Sequence, residues 1–302
     1  MINLISVIIP TYNPDLKILD QTLYALQNQT LDLSLWELII VDNGSVPDVR
    51  LNLNWHPQYT LIKSPDPGLT YARVKGFEHS KGDLVIMVDD DNVLNKDYLQ
   101  CARQLFDSNL MLGAAGGKSL PEFEKIPPDW LKDFHSNLAV RDLGDSTEIS
   151  SWNNTYPACA PIGAGMCVRK AAVASYVNKI HTGMSIITDR KGDALSSGGD
   201  NDLVVDILKS GWQVGYFPEL VLRHIIPGKR MQPGYMANLV NSSNKSWVQL
   251  LDSHQINPWK KIPRWTVPIR KMKAWIACKS WQNKSNYIRW RGICGMYDGL
   301  AR

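Results

Sequence analysis

Leu84-Val85-Ile86-Met87-Val88-Asp89-Asp90-Asp91 is the stretch on which the reading of this chain turns. Its five apolar residues are unbroken and too few for an ordinary helix, the pattern of a strand covered on both faces in a parallel sheet. Three carboxylates follow at its C-terminal end, where repulsion and lost hydration make them costly in a core. Open α/β sheets bind their ligands at that end of the strands. A divalent cation with a hydroxyl-rich or phosphate-bearing ligand would offset the cost. Carboxylate oxygens suit Mg²⁺ or Mn²⁺, and Mg²⁺ is usually held by one or two carboxylates plus substrate phosphates.

The neighbouring sequence repeats the theme. Leu4 to Ile9 reads as a first strand closed by Pro10, and Leu16, Leu19, Leu23 and Leu26 give residues 15–29 helical spacing. Trp36 to Val41 is a second strand that ends in an acid, Asp42, followed by the turn Asn43-Gly44-Ser45. A short third strand at 59–63, a loop Pro65-Asp66-Pro67-Gly68 and a helix over 70–80 lead into the opening stretch. A helix over 95–107 follows it. Residues 121–152, rich in Pro, Trp and charge, read as an excursion, and sheet character resumes at 163–168. Helices are expected at 170–177 and from Gly198-Gly199-Asp200-Asn201-Asp202 to about Lys209, the second with its acids at the N-terminal turn, where they suit its dipole. The last strands are expected at 215–217 and 220–222. This alternation predicts an α/β fold with a Rossmann-like, mostly parallel, doubly wound sheet flanked by helices.

With 302 residues, 44% hydrophobic and 21% charged, the chain can build one large core plus an appendage. Its five cysteines (Cys101, Cys159, Cys167, Cys278 and Cys294) show no CxxC spacing, so neither a zinc site nor a disulfide framework is expected. Met1 to Pro10 lacks a basic leader, and no apolar run reaches about 18 residues. A cytoplasmic protein is expected, with peripheral attachment to the inner face of the membrane as its variant. The net charge of +4 conceals an asymmetry: residues 245–302 hold 12 Lys or Arg against 2 Asp or Glu, and six of the eleven tryptophans. The expected division is therefore a domain over 1–235 and a basic, Trp-rich helical extension over 236–302.

Taken singly, an acid after a strand is often only a turn or cap residue, and Gly199-Asp200-Asn201-Asp202 could be helix capping alone. Together and in order, these segments resemble the family 2 glycosyltransferases with the GT-A fold over roughly residues 3–230. Ser6-Val7-Ile8-Ile9-Pro10-Thr11-Tyr12-Asn13 is similar to that family's opening strand and donor loop. Ile39-Ile40-Val41-Asp42-Asn43-Gly44-Ser45 resembles its second strand, and Gly68-Leu69-Thr70-Tyr71-Ala72-Arg73 its glycine-to-arginine segment. Val88-Asp89-Asp90-Asp91 contains its DxD element, and Gly199-Asp200-Asn201-Asp202-Leu203 resembles its late acidic motif.

The resemblance implies roles. Pro10, Thr11, Tyr12, Asn13 and Gly68 would line the donor nucleotide, with Tyr12 against the base and Asp42 accepting a hydrogen bond from it. Arg73 would brace Asp42 or the diphosphate. Asp89 would bond the ribose and Asp91 the metal, Mn²⁺ or Mg²⁺; Asp90, equally acidic, leaves the division within the triplet open. His224, after Leu220-Val221-Leu222-Arg223, would complete the metal shell or be a hydrogen-bonded surface histidine. Asp200 would be the general base for an inverting displacement, with Asp202 its competitor. Gly163 and Ala164 resemble an acceptor-side segment, and Asp202 could serve there too. The usual Glu-Asp pair is here Gly199-Asp200, which puts acceptor contacts in question. Gly228-Lys229-Arg230 would contact the diphosphate or form a solvated turn.

In the extension, Ile269, Met272, Trp275 and Ile276 fall on one helical face among Arg270, Lys271 and Lys273. Either the extension meets an anionic membrane surface, or its tryptophans cap the catalytic domain. No recognised nucleic-acid module is present. The function expected is a metal-dependent hexosyltransferase moving sugar from a nucleotide-sugar donor, UDP-linked by family habit, to a saccharide or lipid-linked acceptor, as in polysaccharide or glycan synthesis. The rivals are a nucleotidyltransferase making nucleotide sugars and a non-catalytic sugar- or nucleotide-binding protein of the same fold. The first lacks its glycine-rich, basic loop after strand one, and Gly113-Ala114-Ala115-Gly116-Gly117 lacks the dehydrogenase spacing.

Overall fold

The computed structural model describes residues 1–183 and 198–302. Its described residues divide into two compact units: 1–122, 139–183 and 203–225 form the first, and 123–138, 198–202 and 226–302 the second.

The first unit is built on a sheet whose strands run β1 Ile5–Thr11, β2 Trp36–Asp42, β3 Tyr59–Lys63, β4 Leu84–Met87, β5 Asn92–Leu94, β6 Leu112–Phe123, β7 Glu148–Ser150, β8 Cys167–Arg169 and β9 Gln213–Ile226. Their order is β3-β2-β1-β4-β8-β6-β9-β5, with β7 also on β9. The half from β3 to β4 is parallel, and β8 runs antiparallel to both β4 and β6. The helices are α1 Leu16–Gln27, α2 Leu69–His79, α3 Tyr98–Ser108, α4 Ala174–His181 and α5 Gly199–Lys209, of which residues 203–209 belong to this unit.

Unbroken apolar strands make sense because each sheet face has its own core. Ile5, Val7 and Ile9 of β1 pack with Leu19, Leu23 and Leu26 of α1 and Leu99 and Phe106 of α3. Ile8, with Val85 and Met87 of β4, packs on the other face against Val74 and Phe77 of α2 and Leu203, Val204 and Ile207 of α5. Alternate residues of one strand thus face opposite layers, and no polar face is left.

Three segments differ from expectation. Asn92–Leu94 is a short strand antiparallel to β9, where no strand is expected ahead of the helix over 95–107. Leu112–Phe123 is a twelve-residue strand, although its Gly, Ala and Lys content is poor in strand formers; pairing with β8 overrides propensity there. The expected pair of last strands is one strand, β9, which runs through Pro218. The burial alternation slips at Pro218-Glu219, and partners on either side keep the strand whole: β7 along 214–216 and β5 along 222–224.

In the second unit, α6 Pro233–Ser253, α7 Val267–Ala277 and α8 Lys284–Leu300 pack together, joined by the 3₁₀ stretch Asp129–Leu138. Gly295 lies against the Asn241 carbonyl, so closely that a Cβ there would overlap it. The Trp290 indole donates to the Lys271 carbonyl at 2.9 Å and stacks edge-on with Trp275 at 4.7 Å. Among the described residues no helix is long and apolar enough to cross a membrane.

Candidate donor-nucleotide site at the strand ends

Register brings the candidate residues of the first unit to one sheet edge. Thr11, the last residue of β1, lies opposite Asp42, the last of β2, and Pro10 lies opposite Val41. Ile8 lies opposite Met87, and the Val88 N–H donates to the Ile8 carbonyl at 2.9 Å, so the acidic triplet leaves the sheet beside the end of β1.

Asp42 is fully buried under the loop it precedes. One oxygen accepts the Ser45 N–H at 2.9 Å and the other the Val49 N–H at 3.1 Å. Burial works to raise its carboxyl, but the Ser45 hydroxyl and N–H, the Val49 N–H and the Lys63 charge outweigh it and hold the carboxyl below the usual range. Two asparagines tie the neighbouring loops together. The Asn13 side-chain oxygen Oδ1 accepts the Val46 N–H at 2.8 Å. Asn43 accepts the Gly68 N–H at 2.7 Å and donates to the Asp66 carbonyl at 2.7 Å. The loops after three successive strands therefore form one platform, on which Tyr12 stands exposed.

The triplet separates into three different environments. Asp89, partly exposed, faces the buried Arg73 guanidinium at 3.5 Å, so the arginine expected to brace Asp42 or the diphosphate reaches the expected ribose ligand. Asp90 turns back into the fold: its carboxylate accepts the Thr11 hydroxyl at 2.7 Å, and its carbonyl accepts the Thr22 hydroxyl at 3.1 Å. Asp91 is buried, with one oxygen accepting from the Asn92 side chain at 3.0 Å and the other 3.3 Å from His224 Nε2. Asn92 also accepts the Asp89 N–H at 3.1 Å, spanning the triplet. The pairing of β5 with β9 sets Asn92 opposite His224, and the Ile225 N–H bonds the Asp91 carbonyl at 2.9 Å. His224 is thus a buried strand residue rather than a surface histidine.

A separation of 3.3 Å between a carboxylate oxygen and an imidazole nitrogen suits two adjacent ligands of one octahedral cation, which at bond lengths of about 2.1 Å stand about 3 Å apart. Asp91 and His224 therefore fit a divalent metal by donor type and by spacing.

Gly163 and Ala164 lie just before β8, which runs antiparallel to β4, so they come to the same edge as the triplet. The Met87 N–H donates to the Met166 carbonyl at 2.9 Å. Gly165 has φ +70°, and a Cβ on it would stand 2.5 Å from Leu222 Cδ2 and 2.7 Å from the Tyr98 hydroxyl oxygen. That hydroxyl donates to the Gly165 carbonyl at 2.6 Å. Arg141 clamps the approach to this segment by donating to the carbonyls of Ala158 and Ala160, each at 2.7 Å.

Asp200 and Asp202, which group with the second unit, have opposite surroundings. Asp202 is completely buried and stands 2.6 Å from His254 Nε2 in the same unit. Asp200 is partly exposed, with one carboxylate oxygen accepting the Asn201 N–H at 3.0 Å. Lys229 and Arg230 fall in the 3₁₀ turn Gly228–Met231, whose first N–H donates to the Glu124 carboxylate at 2.6 Å. Asn92 and Arg141 escaped the sequence reading, and Asn43 entered it only as a turn residue. The two asparagines directly follow candidate acids, which is a usable signal; Arg141 stands in the irregular excursion and carries none.

The parallel half-sheet, the strand-end acids and the crossing β9 define a GT-A fold, and solved structures bear this out. S. aureus TarS 1-349 in complex with UDP-GlcNAc matches with TM-score 0.54 at 15% identity, covering 97% of this chain and 89% of that one. The mannosyltransferase PcManGT from Pyrobaculum calidifontis, in complex with GDP-Man and Mn²⁺, matches with TM-score 0.54 at 17% identity, covering 97% and 73%. Among curated proteins, an N-acetylglucosaminyltransferase of Rhizobium meliloti (strain 1021) is 25% identical over 240 residues, which are 74% of this chain and 51% of that protein. The chain spans about half the length of the curated relatives it matches first. The sequence pattern described as Glycosyl transferase family 2 matches residues 6–158, and the chain belongs to that family.

Proposed function

We propose that the chain transfers a sugar from a UDP-linked donor to a hydroxyl of a saccharide or lipid-linked acceptor, with inversion at the anomeric carbon, as in the building of a polysaccharide or glycan. The observation that carries this reading is the Asp91–His224 pair at the end of the parallel strands, beside the Asp89–Arg73 pair. UDP-N-acetylglucosamine is the first donor to test, because the Rhizobium relative is named an N-acetylglucosaminyltransferase and the TarS structure holds UDP-GlcNAc.

The base would lie on Tyr12, and Asp42 would hold the loop that receives it while offering its remaining lone pairs. Asp89, steadied by Arg73, would take a ribose hydroxyl. Asp91 and His224 would hold Mn²⁺ or Mg²⁺, which when bound neutralises diphosphate charge. Asp200 would accept the proton of the attacking acceptor hydroxyl. Its partial exposure favours it over Asp202, whose carboxylate is buried against His254. Gly163 and Ala164 would bound the acceptor side. Residues 1–235 would carry this chemistry, and 236–302 would serve the acceptor's setting, in the cytoplasm and at the inner membrane face.

Release of UDP from UDP-N-acetylglucosamine with Mn²⁺ tests the reading. EDTA, Asp91→Ala and His224→Ala should each lower it at least about a hundredfold, and added Mn²⁺ should reverse only the EDTA loss. If no nucleotide sugar, UDP- or GDP-linked, is turned over or raises Tm in the presence of Mn²⁺, the enzymatic reading fails.

A further inference from the structure

α7 has two unlike sides. Val267 and Ala274 are buried, and Lys271 reaches Asp298 at 2.7 Å. On the opposite side Trp265, Ile269, Met272 and Ile276 recur at steps of four, three and four residues, which draws one line along a helix. Their exposures are 75%, 47%, 59% and 59%, and Trp281, just past the helix, is 59% exposed. Large apolar side chains gathered on one exposed stripe mark a surface that meets something other than water. Trp275, expected on this face, is instead turned inward against Trp290.

The rim supplies the chemistry of the partner. Arg264, Arg270, Lys273, Lys279 and Lys284 are all exposed, and no Asp or Glu occurs between Asp252 and Asp298. Trp265 and Trp281 stand at the two ends of the aliphatic line, and indoles favour the headgroup region of a membrane surface. At about 1.5 Å per residue α7 is far too short to cross a bilayer core of about 30 Å, so it would lie flat in the interface.

We propose that α7 with Trp265 and Trp281 is a monotopic docking face for an anionic lipid surface. A second copy of the chain is the weaker occupant, because a two-fold contact sets like surface on like surface and this rim has no acid to meet its bases. The inference rests on the glycosyltransferase reading only in what it serves, the capture of a lipid-linked acceptor; the binding itself can be measured without turnover.

The full chain is mixed with phosphatidylcholine vesicles with or without phosphatidylglycerol, and sedimentation and tryptophan emission are recorded. Vesicles containing phosphatidylglycerol should pellet the chain and shift its emission to the blue, and added salt should weaken both. The triple variant Ile269→Ser, Met272→Ser, Ile276→Ser should lose at least about tenfold in partitioning. The pair Lys273→Glu, Lys279→Glu should lose at least about tenfold of the preference for the anionic vesicles, since each basic residue is worth about fivefold. Both variants should keep UDP release from the free donor. Equal binding by the parent and the triple variant, or no binding by the parent, overturns the proposal. So does a parent dimer that the triple variant dissolves while neither chain binds vesicles. Vesicle binding without UDP release would sink the catalytic reading and leave this one standing.

Discussion

The strand-end edge of the first unit and the three-helix extension break the usual rule of polar outside and apolar inside in opposite directions. At the edge, charge is taken in: Asp42, Arg73, Asp91 and His224 are all buried, held by backbone groups and by one another. In the extension, apolar bulk is put out: Trp265, Met272 and Ile276 stand in solvent while the opposite side packs closely. Each departure costs stability that the fold itself does not require, and such departures concentrate where a protein meets its ligands. On the readings proposed above, the first would take a cation and a polar ligand, the second an apolar surface with negative charge at its margin.

The comparison breaks first at Asp200, the acid that is neither buried nor part of the apolar stripe. Asp200→Asn should lower turnover about a thousandfold, within the range of a lost general base, while donor affinity stays within about threefold. Asp202→Asn should behave as the loss of a buried partner of His254, costing about 3 kcal/mol of stability. Steady-state kinetics and donor titration, with Tm measured on both variants, separate the two. Normal turnover in Asp200→Asn would remove the base assignment.

The second break lies within the extension. Gly295→Ala would drive a methyl into the Asn241 carbonyl between α8 and α6 and should cost about 2–3 kcal/mol in urea unfolding. Ile276→Ser on the exposed stripe should stay within about 0.5 kcal/mol. If both cost the same, the stripe is part of the packed structure and not a free surface.

Much of the strand-end edge was legible because each acid ends an apolar run: Asp42 after Val41 and Asp89 after Val88 need only the strand reading to be placed together. The partners of those acids were less legible. That Asp90 faces Thr11, and that His224 faces Asn92, depends on pairing between distant strands, which no local pattern carries. β6 was missed because its glycines and alanines are there for close packing against neighbours, not for strand propensity. In the extension the periodicity pointed to one apolar face, and the fold divided it: Trp275 went in, while Ile269, Met272 and Ile276 stayed out.

A smaller effect distinguishes the strand-end edge from the opposite end of the same strands. His56 is buried beside Trp36, with ring centroids 4.1 Å apart, and burial pushes its imidazole down to about 4, with Glu37 opposing. Between about pH 6.5 and 4 the unfolded chain takes up a proton that the folded chain refuses. Stability from this site is full above that window and is lost as pH falls through it. Asp42, held low, contributes above the ordinary carboxylate range and loses its share only as pH falls through its lower folded value. Urea midpoints measured from pH 7 to 5 should therefore fall in the parent and flatten in His56→Gln, while Asp42→Asn keeps the slope. A slope unchanged by His56→Gln would assign the window to another group.

The finest test is inside the triplet. Asp90 and Asp91 are adjacent, yet Asp90 is bound to Thr11 and Thr22 while Asp91 faces His224. Asp90→Asn keeps an oxygen for the Thr11 hydroxyl and removes only charge, so turnover should fall less than about fivefold and the Mn²⁺ concentration for half-maximal activity should not move. Asp91→Asn should raise that concentration at least about tenfold. Thr11→Val, which removes the donor and keeps the shape, should reproduce the modest loss of Asp90→Asn without any change in metal requirement. If Asp90→Asn raises the Mn²⁺ requirement as far as Asp91→Asn does, both carboxylates serve the cation, and the bond to Thr11 describes a resting position rather than a role.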